Sequence, residues 1–333
     1  MIRRAHKGDV KKRRLFRQYF SALTDLVELQ CIDVGSRAGF TEDIAPIAEA
    51  CSVFGFEPDP GECERLSATD TRGSPPWRSI THLPVALSNK AGTETLHLYS
   101  NPGCSSLLPA NQELARGFQR AHYFELQETC SVAALPLDEV VTRYETGPIH
   151  FMKIDIQGAE LLAFEGAKTT LQNCLGIRTE VSFRPIYEGQ PLLPDIMGFL
   201  DQYGFAPTSF LEVHSWRRES RERSRRVATG PFPVSRGELA HADLLFLRAP
   251  DTIPDSAERR SQLLRLCLIA LCYDHLDFAA RIFRMPEISS WIDGELQVPA
   301  IESLSKYSKA LAKAKEPFSP GDSRTSLRHH AER

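Results

Sequence analysis

The chain lacks the marks of several protein classes. Its eight cysteines, Cys31, Cys51, Cys63, Cys104, Cys130, Cys174, Cys267 and Cys272, include no C-x-x-C pair and no histidine at zinc spacing. That argues against a structural zinc site or a disulfide framework. Several of them fall in segments that read as strands or helices, where a reduced thiol acts as a small apolar filler. No apolar run approaches the length of a membrane span and no signal-peptide core is visible, so the expected setting is cytoplasmic. Neither sign of charge is in large excess: a formal net charge of -3 over 333 residues argues against bulk attraction to nucleic acid. There is no internal repeat. This length suffices for one large α/β domain and a smaller addition, with ample core.

One glycine is also missing. Cys31-Ile32-Asp33-Val34-Gly35-Ser36-Arg37-Ala38-Gly39-Phe40 is an apolar run ending in an acid and a glycine-punctuated turn. Val53-Phe54-Gly55-Phe56-Glu57-Pro58-Asp59 repeats the acid-terminated pattern, as a nucleoside-binding βαβ unit does. Nicotinamide and flavin folds usually carry G-x-G-x-x-G, because a pyrophosphate must approach the backbone closely. Here only Gly35 and Gly39 are present, with Asp33 before them. A pyrophosphate would meet an anion there, whereas the amino group and sulfonium of S-adenosylmethionine would be attracted to it. The backbone from Gly35 through Ser36 to Gly39 is then expected to hold the methionine end. Glu57 would accept the ribose hydroxyls, with Pro58 beside it.

A further strand ends the same way. Ile149-His150-Phe151-Met152-Lys153-Ile154-Asp155-Ile156-Gln157-Gly158-Ala159-Glu160 leads into a segment of helical spacing. Gly176–Phe183 places Glu180 near the same edge. In an open α/β sheet ligands bind beyond the carboxyl ends of the strands, where strand order reverses, so Asp33, Glu57, Asp155 and Glu180 are expected to share one crevice.

The ordered set of segments resembles the FkbM-type family of S-adenosylmethionine-dependent methyltransferases. The matching residues are Asp33–Gly39, Phe56–Asp59, Val85–Asn89 with Gly92, Cys104–Leu107, Leu137–Val140, Lys153–Glu160, Thr179–Val181 and Tyr187–Gln190, spanning roughly 28–248. The resemblance implies a Rossmann-like sheet, S-adenosylmethionine as methyl donor, and a sugar or secondary-metabolite hydroxyl as acceptor. The family usually has a second acid where this chain has Gln157. If that acid accepts the proton in relatives, this chain uses another group or is impaired.

The expected architecture is α/β: a Rossmann-like seven-stranded class I methyltransferase sheet with helices on both faces and a small C-terminal helical appendage. Strands are read near 29–34, 52–57, 82–87, 149–155, 175–183, 205–212 and 241–248. Helices are read near 40–50, 59–69, 137–145, 159–172 and 192–203. The interval 93–132 reads as an insertion opening with an extra strand over the cleft mouth, where specificity is commonly built. The expected divisions are a basic N-terminal helix at 1–27, the methyltransferase domain at 28–248, a helical appendage at 249–314 and a disordered tail at 315–333.

Among candidate catalytic residues Asp155 comes first, as a base near the methyl group or as a cofactor hydrogen-bond partner or helix cap. Glu160 and Glu180 are candidates for orienting substrate hydroxyls. Val85, Ala86 and Leu87 are expected to border the adenine. His82, His122 and His214 are weaker candidates as bases. No ligand spacing is diagnostic of a metal, and none is assigned. The basic helix could touch an anionic membrane or simply cap the sheet, and the appendage could pack on the sheet or mediate a homodimer. The run Arg217, Arg218, Arg221, Arg223, Arg225 and Arg226 could hold acidic groups or be a solvated loop. The expected partner is a small molecule or glycan, with no nucleic acid. The rival within the enzyme class, which the basic run sustains, is a nucleic-acid methyltransferase, against which stand the acidic net charge and the absence of an N-P-P-Y motif in place of Asp155–Gly158; the rival from another class is a non-catalytic protein that keeps the nucleoside fold.

Overall fold

The computed structural model describes residues 7–68, 75–219, 221–222 and 228–314 of the chain. The strands are β1 (Leu29–Val34), β2 (Cys51–Phe56), β3 (Ser79–Leu83), β4 (Ala86–Leu87), β5 (Gly92–Tyr99) and β6 (Leu126–Leu135). They continue with β7 (Ile149–Ile154), β8 (Gly176–Ser182), β9 (Phe205–Trp216), β10 (Arg221–Glu222), β11 (Ala228–Thr229) and β12 (Glu238–Arg248). The helices are α1 (Lys7–Thr24), α2 (Pro60–Ala68), α3 (Gln112–Gly117), α4 (Leu137–Arg143) and α5 (Glu160–Glu165). Then follow α6 (Leu193–Asp201), α7 (Arg259–Cys272), α8 (Leu276–Phe283), α9 (Pro286–Leu296) and α10 (Ala300–Ala314).

Seven strands form one sheet in the order β3-β2-β1-β7-β8-β12-β9. Its pairs are parallel except where β12 runs antiparallel between β8 and β9. Strand β7 is buried at every position, as expected of a parallel strand covered on both faces, which reads as an apolar run and not as an alternation.

Three expectations are corrected. The third strand lies at Ser79–Leu83 and not at 82–87; Ala86–Leu87 instead pair with β6 in a separate three-stranded sheet, β4-β6-β5. The insertion does open with a strand, but β5 pairs with β6, whose first four residues are exposed and show no alternation. The element at 40–50 is a 3-10 segment, because Pro46 lies inside it and Ile47 leaves helical geometry.

Two apolar clusters flank the sheet. One lies under α4, α5 and α6 and includes Ile32, Val34, Met152, Ile154, Phe164 and Leu200. The other joins Cys31, Val53, Phe151, Leu245 and Leu247 of the sheet to α1 and α7–α10. The crossover on this face is the short 3-10 segment, so the strands need other cover. Helix α7 supplies it, with every position from Leu263 to Cys272 buried except Arg265, as befits a helix between two layers. The C-terminal helices thus pack on the sheet in the same cluster as α1. Phe16, Phe20 and Leu23 of α1 are fully buried, so an outside surface can meet only the basic side of this helix. The expected tail at 315–333, and Arg223, Arg225 and Arg226 of the basic run, lie outside the described residues.

The rings of Phe20 and Tyr307 meet edge-on with centroids 5.1 Å apart, joining α1 to α10. Phe20→Ala is expected to lower unfolding stability by about 3–5 kcal/mol, read as a reduced urea midpoint.

Candidate active site

Three backbone hydrogen bonds gather the strand ends. Gly35 N donates to Phe56 O at 3.1 Å, Asp155 N to Val34 O at 3.0 Å, and Glu57 N to Leu83 O at 3.2 Å. The carboxyl ends of β3, β2, β1 and β7 therefore form one continuous edge. Gly35 sits at φ 81° and a Cβ there would strike the Asp155 carbonyl, so the turn requires glycine on both counts. Gly39 also has φ 81°, but a Cβ there would meet nothing within 4 Å. Space is open beside this end of the turn. The buried Ser36 hydroxyl donates to Asp33 O at 2.7 Å and so fixes the turn.

Asp33 does not face the crevice as expected. Strand register sets it beside Lys153, and Lys153 Nζ lies 3.0 Å from Asp33 Oδ1, with both side chains buried. The ammonium also donates to Gly35 O at 3.1 Å and lies 3.9 Å from Asp155 Oδ2. Burial pushes the Asp33 carboxyl up, opposed by Lys153. For Lys153, burial alone would lower the ammonium, but Asp33 and Asp155 outweigh it and hold it above its ordinary value. The charge of Asp33 is thus met inside the sheet, and it acts on the crevice through Lys153. A lone lysine in the apolar strand Ile149–Ile154 was the signal for this pair.

Glu57 is buried at the end of β2, with Asp59 N donating to its Oε1 at 3.1 Å. Arg37 of the glycine turn lies 3.9 Å from Glu57 Oε2 and 3.3 Å from Asp59 Oδ2. Burial pushes the Glu57 carboxyl up, while Asp59 N and Arg37 oppose it. Pro58 is half-buried beside it. The shift of β3 carries Val85, Ala86 and Leu87 past the strand end and into the core. Val85 and Leu87 join the cluster containing Val34 and Leu135, and Ala86 packs with Leu96 and Val132. None of the three side chains lies open to the crevice.

Asp155 does face it, with 42% of its side chain exposed. Gln157 Nε2 donates to Asp155 Oδ1 at 2.9 Å. Gln157 is held in turn by Ser106 Oγ donating to its carbonyl at 2.7 Å and by the Tyr187 hydroxyl 3.1 Å from its Oε1. It occupies the left-handed region at φ 56°, a conformation fixed by these contacts. Gln157 therefore positions Asp155.

Glu160 is corrected as a substrate contact. It folds back onto its own turn, accepting from Ile156 N at 3.1 Å and Gly158 N at 3.0 Å. Burial, with the Glu180 charge adding, pushes it up to about 8. Glu180 is also buried, but its Oε2 lies 2.9 Å from Nδ1 of His241, a residue the sequence did not single out. The pairing of β8 with β12, Asp243 opposite Glu180 and His241 opposite Ser182, brings them together. Of the weaker candidates, His214 stacks on His241 with centroids 4.5 Å apart, His122 is exposed against Tyr123, and His82 packs at Gly55.

Sheet order and the acids at the strand ends define a Rossmann-like class I methyltransferase fold. Residues 33–207 match the methyltransferase FkbM domain. With more than half of its length in that match, the chain belongs to the FkbM methyltransferase family. It is 26% identical over 181 residues to the 2-O-methyltransferase NoeI of Sinorhizobium fredii (strain NBRC 101917 / NGR234), covering 54% of this chain and 71% of that protein. Among solved structures, methyltransferase FkbM from Methylobacillus flagellatus KT is 13% identical with a TM-score of 0.31, over 65% of this chain and 43% of that one. This chain thus spans less than half of that relative. Magnesium protoporphyrin IX methyltransferase from Synechocystis PCC 6803, solved with bound SAM, is 11% identical with a TM-score of 0.33, over 72% of this chain and 81% of that one.

Two outcomes follow from the buried charges. Lys153→Met strands the Asp33 carboxyl and should cost about 3–5 kcal/mol in urea unfolding, with part regained on adding Asp33→Asn. A carboxyl raised on folding retains a proton that the unfolded chain has lost. The stability contributed by Glu160 is therefore complete below its ordinary value of 4.5 and lost as pH rises toward about 8. Glu160→Gln should flatten this decline in unfolding curves measured across that interval.

Proposed function

We propose that this chain is an S-adenosylmethionine-dependent O-methyltransferase acting on a hydroxyl of a carbohydrate or secondary metabolite. The observation that carries this reading is the joined strand edge, with buried Glu57 on one side of the Gly35–Gly39 turn and half-exposed Asp155 on the other. The named activity of the Sinorhizobium relative, a 2-O-methyltransferase, supports oxygen as the acceptor atom.

The residues fit the methyl donor. The open side of Gly39 leaves room for its methionine end, and the Glu57 carboxylate can accept the two ribose hydroxyls, with Arg37 yielding or sharing that position. When bound, S-adenosylmethionine supplies a methyl carbon activated by its sulfonium. Asp155 has one oxygen held by Gln157 and offers the other to a cationic or hydroxyl group in the crevice. Much of the acceleration of an in-line displacement comes from holding the acceptor oxygen about 3 Å from the methyl carbon. The hairpin of β5 and β6, with α3, packs through Tyr99, Phe118 and Phe124 onto Tyr187 and Trp216 beyond the strand ends. This packing supports a role for the insertion in shaping the acceptor side.

Calorimetric titration with S-adenosylmethionine should give saturable heat, and Glu57→Ala should weaken affinity about ten- to a hundredfold, the loss of a hydrogen bond to a charged group. Absence of heat for the unmodified chain would sink the cofactor reading. Isotopic methyl transfer into glycan and small-molecule extracts, read by mass spectrometry, tests the acceptor. Saturable binding with no transfer would favour the non-catalytic alternative.

A further inference from the structure

The Gln157 side chain is an amide, which is no proton acceptor near neutral pH, and it is committed to Asp155 and Tyr187. Asp155 has one oxygen on Gln157 and the other 3.9 Å from the Lys153 ammonium, which leaves a second proton acceptor on the same edge to be sought. Resting on the methyltransferase reading above, we infer that His241 is the general base, oriented by Glu180.

The geometry has the parts of a base and its orienter. Glu180 Oε2 stands 2.9 Å from the buried Nδ1 of His241 as a charge contact without hydrogen-bond alignment, and Nδ1 has no other partner among the described residues. The attraction of the carboxylate favours a proton on Nδ1 and leaves Nε2 as the accepting nitrogen. The imidazole retains 21% exposure while Glu180 retains 9%, so the ring, and not the carboxylate, can meet a substrate. Trp216 meets the ring edge-on and His214 stacks on its face at 4.5 Å, which limits its swing. Both His241 and Glu180 lie at the carboxyl edge of the sheet, beneath the aromatic cluster built by the insertion.

The charged groups around the ring come from four elements. They are Glu180 on β8, Asp155 after β7, Asp243 on β12 itself, and His214 on β9, which has Glu212 Oε1 at 3.9 Å. Burial alone would lower the imidazole, but the carboxylates of Glu180, Asp243 and Asp155 outweigh it and hold it above its ordinary value of 6.5. A base works in its neutral form, so transfer should rise with pH through this elevated value. In the step, the acceptor oxygen forms a bond to the methyl carbon as the carbon–sulfur bond breaks, and its electron pair leaves with the now neutral thioether. The hydroxyl proton passes to Nε2 of His241, and the imidazolium stays paired with Glu180 until it releases the proton to solvent.

The test has two arms. In the first, nitrogen-15 NMR of the full chain, which needs no acceptor, should show neutral His241 protonated at Nδ1, and Glu180→Gln should move its titration to lower pH. A neutral ring protonated at Nε2, or a titration unmoved in Glu180→Gln, would overturn the proposal. In the second, labelled methyl transfer from S-adenosylmethionine to methyl glucoside is followed across the neutral range. His241→Gln should lower kcat about a hundredfold or more, abolish the rising limb and leave cofactor affinity in calorimetry unchanged. Partial rescue by added imidazole is expected. A limb that persists in His241→Gln and vanishes in Asp155→Asn would assign the proton to Asp155 and overturn the inference while leaving the methyltransferase reading intact. An unmodified chain that binds no S-adenosylmethionine would instead remove that reading, and this one with it. Should His241→Gln fail to fold, the Glu180→Gln titration still decides.

Discussion

The buried ion pair between Asp33 and Lys153 is the constraint on which the crevice depends. Two charges taken out of water are costly, and their attraction offsets that cost only when the remaining polar atoms are also met. Lys153 pairs its charge with Asp33 and donates a hydrogen bond to the Gly35 carbonyl at once. The turn that would carry the methyl donor is thus tied to β7, the strand whose end presents Asp155. The same face of the sheet continues the pattern one strand further. Arg178, opposite Lys153 in register, pairs with Asp43 and Asp243. Positive and negative groups therefore balance across β1, β7, β8 and β12 just beneath the ligand edge. This arrangement orders the strand ends laterally, where hydrogen bonding along the sheet alone would permit sliding.

A second constraint is cover for the face that bears Cys31, Val53 and Phe151. Because Pro46 shortens the crossover between β1 and β2 to 3-10 geometry, this face must recruit helices from both sides of the methyltransferase sequence. Helix α7 fills the gap and α1, α8, α9 and α10 enclose it. Lys12 at 2.9 Å from Asp274 adds a polar tie between α1 and the turn after α7.

Much of the sheet was legible in the chain because parallel strands buried on both faces are written as mainly apolar runs without strict alternation, as in Leu29–Val34 and Ile149–Ile154. The acids at 33, 57, 155 and 180 likewise marked the correct edge. What they do there was not legible, because it depends on register. Asp33 turns inward because Lys153, 120 positions later, stands beside it in the parallel pair. Glu160 turns back on its own backbone. His241 stands beside Glu180 only because β12 inserts antiparallel between β8 and β9, a pairing no local pattern encodes. Strand β6 was hidden for another reason: one of its ends has no buried face to impose alternation.

The docking of α1 against α10 orders events during synthesis. When the ribosome has delivered the whole sheet as far as β12, the apolar flank around Cys31, Phe151 and Leu247 is still bare, because α7 through α10 come afterwards. The first helix can nestle against the sheet but cannot find Tyr307 until about sixty further residues have emerged, and at bacterial or eukaryotic elongation rates of about 5–20 residues per second that leaves an interval of seconds. During it the nascent polypeptide exposes a greasy plane that invites self-association or a chaperone's grip. Closure of this flank is therefore a late, long-range event joining a helix made before the sheet to one made after it.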